Sequence, residues 1–295
     1  MRNIFKFFLA LVPKPVIAFI RPGYKFPFKP YFIKVDDKIG GKPIHLFLRE
    51  DSFMEKVIKD EGLYGNWEKE SLRIWASLAK RCNCIIDIGS NTGIYSVLAS
   101  NCNSNATVIA IEPIDLNYQI LLLNKNRNKA NIHVEKIALS NLDGVAKMFM
   151  LRDTINYMTS VNSNTYAHHP KWIEKHGLVE VQVPLKKFDY IVDKYNLKDI
   201  NLIKIDVEGH EVPIIENMLP YLKLYMPSIL IEIISDENAI SLTEIFRGLG
   251  YNFISIDEIN KSSVVQKITN LDHHNYLICN NQVVQYLKDQ KLIEN

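Results

Sequence analysis

Neither sign of charge is in excess in this chain. Its 295 residues include 35 Lys and Arg against 33 Asp and Glu, so the formal net charge at neutral pH is +2. A domain that binds nucleic acid usually carries clustered basic residues. The balance of charges therefore gives no support for a nucleic-acid partner, and we expect none.

Cysteine is scarce as well, with only four residues in the chain. Cys82 and Cys84 form a C-x-C pair, and no further Cys or His pair stands nearby to complete a zinc site. Cys102 and Cys279 are isolated in the sequence. This usage is typical of reduced thiols in a cytoplasmic protein, and that is the location we expect.

No apolar run is long enough to cross a bilayer, which takes about 20 residues. Residues 1–28 mix aromatic and aliphatic residues with Lys and Arg, and Pro13 and Pro15 break the segment. A basic amphipathic segment of this kind can lie at a membrane surface. The sequence thus predicts either peripheral membrane contact through residues 1–28 or packing of this segment on the domain or on a second subunit of a homo-oligomer.

From residue 84 onward, short apolar runs alternate with helical stretches. The runs that predict strands are 84–89, 106–113, 131–139, 200–206 and 228–234, and "YNFISID" with "NYLICN" predicts a closing antiparallel pair. Continuous apolar strands separated by helices favour a mostly parallel sheet covered on both faces. The predicted fold class is therefore α/β, with three layers around that sheet.

The chain divides into two predicted parts. Residues 1–60 form an N-terminal extension that contains the basic segment and short strands, and residues 61–295 form the main domain. An insertion at about 144–185 interrupts the main domain. In it, two predicted strands, 144–151 and 177–185, flank a polar and aromatic stretch, and long loops inside compact domains are often functional.

The stretch "DIGSNTG" (87–93) stands where the first main-domain strand gives way to a helix. Gly89 and Gly93 allow a ligand to approach the backbone, and the helix start offers free N–H groups. Glu112 ends the next strand, where a carboxylate can hold the hydroxyls of a ribose. The dinucleotide pattern G-x-G-x-x-G fails, because Asn91 and Ile94 occupy its second and third glycine positions. The loop favours a smaller nucleoside ligand, and the alternative is a purely structural turn.

Four segments, in this order and spacing, carry a family resemblance: "IIDIGSNTGIYS", "VIAIEP", "IALSNLDG" and "LIKIDVEGHE". Over about residues 60–235 the chain resembles the FkbM family of S-adenosylmethionine-dependent methyltransferases. The resemblance implies the Rossmann-like class I methyltransferase fold, with a seven-stranded, mostly parallel sheet whose last strand is antiparallel. It also implies S-adenosylmethionine as the cofactor.

By that resemblance, three groups of residues would bind the methionine part, the ribose and the adenine of the cofactor. They are, respectively, Asp87, Gly89, Asn91 and Gly93; Glu112 with Pro113; and Ala138, Leu139 and Ser140, with Asn117 as an addition. Upstream, the family places an aromatic residue and a Glu close together, and Tyr64 and Glu68 are the candidates here.

The acidic stretch 206–211 follows the fourth main-domain strand, beside the first. Asp206 would position the cofactor amine or the substrate, and His210 is the expected base because its pKa suits neutral pH. Glu208 would assist catalysis, and Glu208 and Glu232, at the same sheet edge, would bind substrate hydroxyls. An ion pair between Asp206 and Lys204 is expected, since residues i and i+2 share a strand face.

Two further readings concern the same acids. Glu211 would favour the positive end of the following helix. Asp206, Glu208 and Glu232 are hard oxygen ligands, so a divalent metal is an alternative, although the spacing does not require one and no metal site is predicted.

The function expected from the site and the resemblance is O-methyl transfer to a hydroxyl of a sugar, in a glycan or surface polysaccharide. The alternatives are an acceptor that is a lipid or natural product, and a non-catalytic scaffold with a nucleoside-cofactor fold. A dehydrogenase is disfavoured by the missing glycines.

Overall fold

A computed structural model describes residues 31–48, 53–151, 177–270 and 274–294. The predictions for residues 1–28 and for the loop 152–176 lie outside the described residues. Within the described ranges, no helix combines the length and apolar character needed to cross a membrane.

The described elements follow the alternation that the sequence predicts. In chain order they are β1 (Tyr31–Val35), β2 (Ile44–Leu48), α1 (Phe53–Glu61), α2 (Lys69–Ala79), β3 (Cys84–Ile88), α3 (Ile94–Cys102), β4 (Thr107–Ile111), α4 (Asp115–Asn128), β5 (Ile132–Glu135), β6 (Ala138–Ser140), β7 (Gly144–Leu151), β8 (Leu178–Lys187), α5 (Phe188–Tyr195), β9 (Leu202–Ile205), α6 (Glu211–Tyr225), β10 (Ser228–Glu232), α7 (Asp236–Gly248), β11 (Asn252–Ser255), β12 (Ser263–Val265), β13 (Asn275–Cys279) and α8 (Asn281–Asp289).

The main sheet has the strand order β12-β11-β13-β10-β9-β3-β4-β5. Strands β5, β4, β3, β9 and β10 pair in parallel, and β13 runs antiparallel to both of its neighbours. The mostly parallel sheet with a late antiparallel strand is confirmed. The sheet has eight strands rather than seven, because the three-residue β12 adds to the edge beside β11. So short a strand, flanked by polar residues, leaves no periodic signal in the sequence.

Side chains alternate between the two faces of the sheet. In β3, Ile85 joins one core cluster, and Ile86 and Ile88 join the other. Helices α2, α3 and α8 contribute to the first cluster, and α5, α6 and α7 contribute to the second. Burial on both faces explains why these strands read as continuous apolar runs, and the three-layer arrangement is confirmed.

The prediction of one strand over 131–139 is wrong. The chain forms β5, which pairs with β4, and then β6, which belongs to a separate three-stranded sheet of order β6-β8-β7. The apolar residues on both sides of the turn are buried, so composition alone does not reveal the break. The predicted hairpin partners in the insertion do pair antiparallel, as β7 and β8.

The segment before the main domain shares its core. Strands β1 and β2 form an antiparallel pair, and helix α1 follows them in a region for which the sequence predicts only short strands. Asn124 of α4 accepts a hydrogen bond from the Phe47 amide at 2.7 Å and donates to the Thr92 carbonyl at 2.8 Å. Because this amide is fully buried, it ties the hairpin to the glycine loop.

Candidate active site

A cavity of about 230 Å³ opens at the carboxyl ends of β3, β4, β9 and β10. This is the edge at which ligands bind in open α/β sheets. Most of the site residues expected from the sequence line it. They are Gly89, Asn91, Glu112, Pro113, Ala138, Leu139, Asp206, Glu208, His210 and Glu232.

Four expected cofactor residues, Asp87, Gly93, Asn117 and Ser140, are not part of the cavity wall. Asp87 is fully buried, and its Oδ2 accepts a hydrogen bond from the Ser96 hydroxyl at 2.5 Å. Gly93 is the N-cap residue of helix α3, and a Cβ atom there would lie 2.8 Å from the Leu121 side chain. Ser140 points to His210, with 2.9 Å between its Oγ and the ring Nε2. Asp87, Gly93 and Ser140 thus pack against other residues and do not face the cavity.

The glycine turn brings two strand ends into contact. Gly89 has φ of 78°, and a Cβ atom there would lie 1.8 Å from the Asp206 carbonyl oxygen. No side chain fits such an approach, so glycine is required by packing as well as by conformation. The turn thereby places the end of β3 directly against the acidic stretch that follows β9.

Glu112 is held by the backbone around it. Its Oε2 accepts a hydrogen bond from the Asn91 amide at 2.9 Å, and its Oε1 accepts one from the Ile114 amide at 2.8 Å. Burial raises the pKa of this carboxyl to about 7. Each carboxylate oxygen has a second lone pair, so Glu112 can still accept a pair of ligand hydroxyls.

One buried polar atom near Glu112, the Asn91 Oδ1, has no hydrogen-bond partner among the described residues. Asn91 also contacts Glu112 through its backbone amide, and Asn117 interacts with the same carboxyl through its side chain. Buried polar groups are normally satisfied, so an acceptor left without a partner here fits a polar ligand such as a nucleoside.

The acidic group on the other side of the cavity consists of Asp206, Glu208 and Glu232. One carboxylate oxygen from each lies within 4.8 Å of the others, which is close enough for a shared cation. Burial raises the pKa of Glu208 to about 8 and that of Glu232 well above its usual value, and the charge on Asp206 adds to both shifts. The expected ion pair with Lys204 is confirmed, with 2.6 Å between Nζ and the Asp206 Oδ2.

His210 and Glu211 begin helix α6. His210 is the N-cap residue, and burial lowers its pKa, so the imidazole is neutral at neutral pH. Glu211 is fully buried; its carboxylate accepts hydrogen bonds from the Gly209 amide at 2.9 Å and from the Asn238 side chain at 2.7 Å. Glu211 therefore serves the turn and the helix start, whereas His210 faces the cavity.

An acid and two aromatic residues complete the wall. Glu68 accepts a hydrogen bond from the Tyr95 hydroxyl at 2.6 Å, and the Trp67 ring packs against the Tyr95 ring at 6.2 Å between centroids. Tyr64, the other upstream candidate, instead donates to Asp37 and does not line the cavity. Of the upstream pair, the structure brings only Glu68 to the site.

Backbone conformation supplies a signal for the site that the sequence lacks. Three residues other than glycine that have positive φ line the cavity: Glu68 at 43°, Asn91 at 50° and Glu208 at 55°. Left-handed conformations cost free energy outside glycine and cluster at functional sites.

The strand order, the glycine turn and the acid at the end of the next strand define a Rossmann-like class I methyltransferase fold. A family model described as "Methyltransferase FkbM domain" matches residues 87–257, more than half of the chain. The chain belongs to the FkbM methyltransferase family.

Curated relatives are similar at low identity. "Methyltransferase 1" of Beauveria bassiana is 26% identical over 147 residues, 45% of this chain and 57% of the relative. "Hexuronic acid methyltransferase AglP" of Haloferax volcanii is 23% identical over 165 residues, 56% of this chain and 61% of the relative. In both cases the match spans less than two thirds of the relative.

A solved FkbM methyltransferase from Methylobacillus flagellatus superposes with a TM-score of 0.42 at 12% identity. It covers 70% of this chain and 47% of the other. The fold assignment follows from the strand order of this chain itself.

Proposed function

We propose that the protein is an S-adenosylmethionine-dependent O-methyltransferase that acts on a hydroxyl of a sugar, in a glycan or surface polysaccharide. The observation that carries the proposal is the pairing, in one cavity, of a nucleoside-type subsite around Glu112 with a base-bearing acidic group around Asp206. When bound, the cofactor supplies a methyl group activated by a positively charged sulfur.

The residues of this chain fit the cofactor. Glu112 accepts from the ribose hydroxyls, and the unpartnered side-chain oxygen of Asn91 lies beside it. Ala138 and Leu139 offer an apolar wall for the adenine. On the opposite side, Asp206 is the carboxylate available to the amine of the methionine part.

The acceptor hydroxyl needs help to lose its proton, because an alcohol is a poor nucleophile. His210 is neutral at neutral pH and takes that proton, while Ser140 fixes the orientation of its ring. Glu208 and Glu232 hold neighbouring hydroxyls, and they do so in either protonation state, because a carboxyl donates and a carboxylate accepts. Apolar side chains in the wall, such as Met54 and Met148, exclude water.

The sugar acceptor is supported by two observations. One relative bears the name of a hexuronic acid methyltransferase. In this chain, Trp67 stands in the cavity wall next to Glu68, and an aromatic face beside carboxylates suits a ring that has one apolar side and many hydroxyls.

The proposal is tested by incubating the protein with tritiated S-adenosylmethionine and separate panels of glycans, lipids and small aromatic alcohols. We expect label in the glycans. We expect His210→Ala to keep cofactor affinity and to lose most of its turnover, about 100-fold or more. His133→Ala, which alters an exposed histidine on β5, is the matched control and should remain fully active. Label in lipids alone would exclude the sugar, and unchanged turnover in His210→Ala would exclude that residue as the base.

A further inference from the structure

Lys204 occupies a position at which a charge is costly. It lies within β9 in the middle of the main sheet, in register with Asp87 on one side and Leu230 on the other. Its residue exposure is 6%, whereas such positions in parallel sheets are normally apolar. A buried ammonium is retained only where several partners compensate for the lost water.

Those partners surround the ammonium. Its Nζ lies 2.6 Å from the Asp206 Oδ2, and the Tyr95 ring covers it at 4.7 Å from the ring centroid. Asp87 adds attractive charge from the neighbouring strand, and Glu68, in the segment before α2, does so when its carboxyl is ionised. Lys204 is thus the centre of a group whose other charged members are carboxylates.

The same carboxylates resemble a cation site. Asp206, Glu208 and Glu232 bring oxygen atoms within 4.8 Å of one another, and hard oxygen donors in such a set suit a divalent ion. However, one Asp206 oxygen already accepts from Lys204, and the fixed ammonium beside it repels any dication at this distance.

We infer that Lys204 is a positioning residue that supplies, from within the chain, the positive charge that a divalent metal would otherwise bring to this carboxylate group. It holds the Asp206 carboxylate at the cavity wall and makes a metal ion unnecessary there. The inference deepens the proposed function by making the methyl transfer independent of metal. Its test below requires neither an acceptor nor turnover.

The test measures binding of Mn²⁺ to the full chain. Electron paramagnetic resonance detects the Mn²⁺ that remains free in solution. We expect no stoichiometric binding by the wild type. We expect Lys204→Met to bind one ion at least about tenfold more tightly than the wild type does, and addition of Asp206→Asn to abolish that binding. Lys204→Arg, which keeps the charge, should exclude Mn²⁺ as the wild type does. Lys194→Met is the matched control, because it removes an exposed lysine that pairs with Glu135.

A second measurement separates this role from simple packing. Lys204→Met should bind S-adenosylhomocysteine more weakly than the wild type, and Mn²⁺ should restore part of that affinity. Where Lys204→Met does not fold, Lys204→Gln, which keeps a donor for Asp206, takes its place.

Two results would overturn the inference. One is a wild-type protein that binds one Mn²⁺ per chain and loses it on Asp206→Asn. The other is a folded Lys204 variant that binds no more Mn²⁺ than the wild type. Failure of the wild type to bind S-adenosylhomocysteine would contradict the proposed function instead and would leave the Mn²⁺ result to decide the role of Lys204.

Discussion

The folded structure stabilises the protonated form of the Glu68 carboxyl. Glu68 lies in the cavity wall in a left-handed backbone conformation and accepts a hydrogen bond from Tyr95. Burial raises its pKa from 4.5 to about 7. Glu68→Gln keeps the shape and an acceptor for Tyr95 but removes the titration, so it isolates the cost of ionising this group.

The sign and size of the effect follow from linkage. Because the folded-state pKa is the higher one, the contribution of the carboxyl to stability is fully present below about pH 4.5 and is lost as the pH rises through about 7. The shift corresponds to about 3 kcal/mol when both states are ionised. Because the carboxyl also contacts water in the cavity, we reduce this free-energy cost to about 2 kcal/mol.

The assay is urea unfolding of wild type and Glu68→Gln between about pH 5 and pH 8. We expect the advantage of the variant in the free energy of unfolding to grow by about 2 kcal/mol across this range. Glu244→Gln, at an exposed position on α7, is the control and should show no such trend. A difference between wild type and Glu68→Gln that stays flat with pH would refute the claim that this carboxyl is desolvated.

Three further outcomes are expected. Gly89→Ala should destabilise the fold by about 2 kcal/mol or more in urea unfolding, because its Cβ atom would overlap the Asp206 carbonyl; a loss below about 0.5 kcal/mol would contradict the close approach. Asn124→Ala should lower the free energy of unfolding by about 2–4 kcal/mol, because it removes two buried hydrogen bonds. Asn126→Ala, at an exposed position of the same helix, should leave stability unchanged. Equal effects of the two substitutions would contradict the role of Asn124 in joining the β1–β2 hairpin to the glycine loop. Deletion of residues 1–28 should reduce sedimentation with anionic liposomes, and equal sedimentation of both forms would reject membrane contact.

The sequence could predict those parts of the fold in which local pattern and burial agree. The strands β3, β4, β9 and β10 are mostly apolar because both faces of the sheet are covered, and helices separate them in the sequence. The split of residues 131–139 into β5 and β6 could not be predicted, because both pieces are buried, in different sheets. The choice of sheet depends on long-range pairing with β8, which no local window contains.

In the site as well, some positions follow from the local sequence pattern and others depend on long-range packing. Glu112, Asp206 and Glu232 stand at or just beyond strand ends, and the carboxyl ends of parallel strands meet at one edge, so their proximity follows from the topology. Asp87 also stands near a strand end, but its side chain turns toward Ser96 of α3, which only packing decides. Glu68 reaches the cavity through the approach of α2 to the sheet, and a single sequence carries little information about such an approach.

Titration calorimetry with S-adenosylhomocysteine and, separately, with NAD tests the central claim most directly. We expect the wild type to bind S-adenosylhomocysteine and to give no heat with NAD. Glu112→Ala should weaken that binding by about 30-fold or more through the loss of charge-assisted hydrogen bonds, while Asp115→Ala, at an exposed position on α4, should not. A wild type that binds neither ligand, or a folded Glu112→Ala that binds S-adenosylhomocysteine as tightly as the wild type, would contradict the assignment of this cavity to the cofactor.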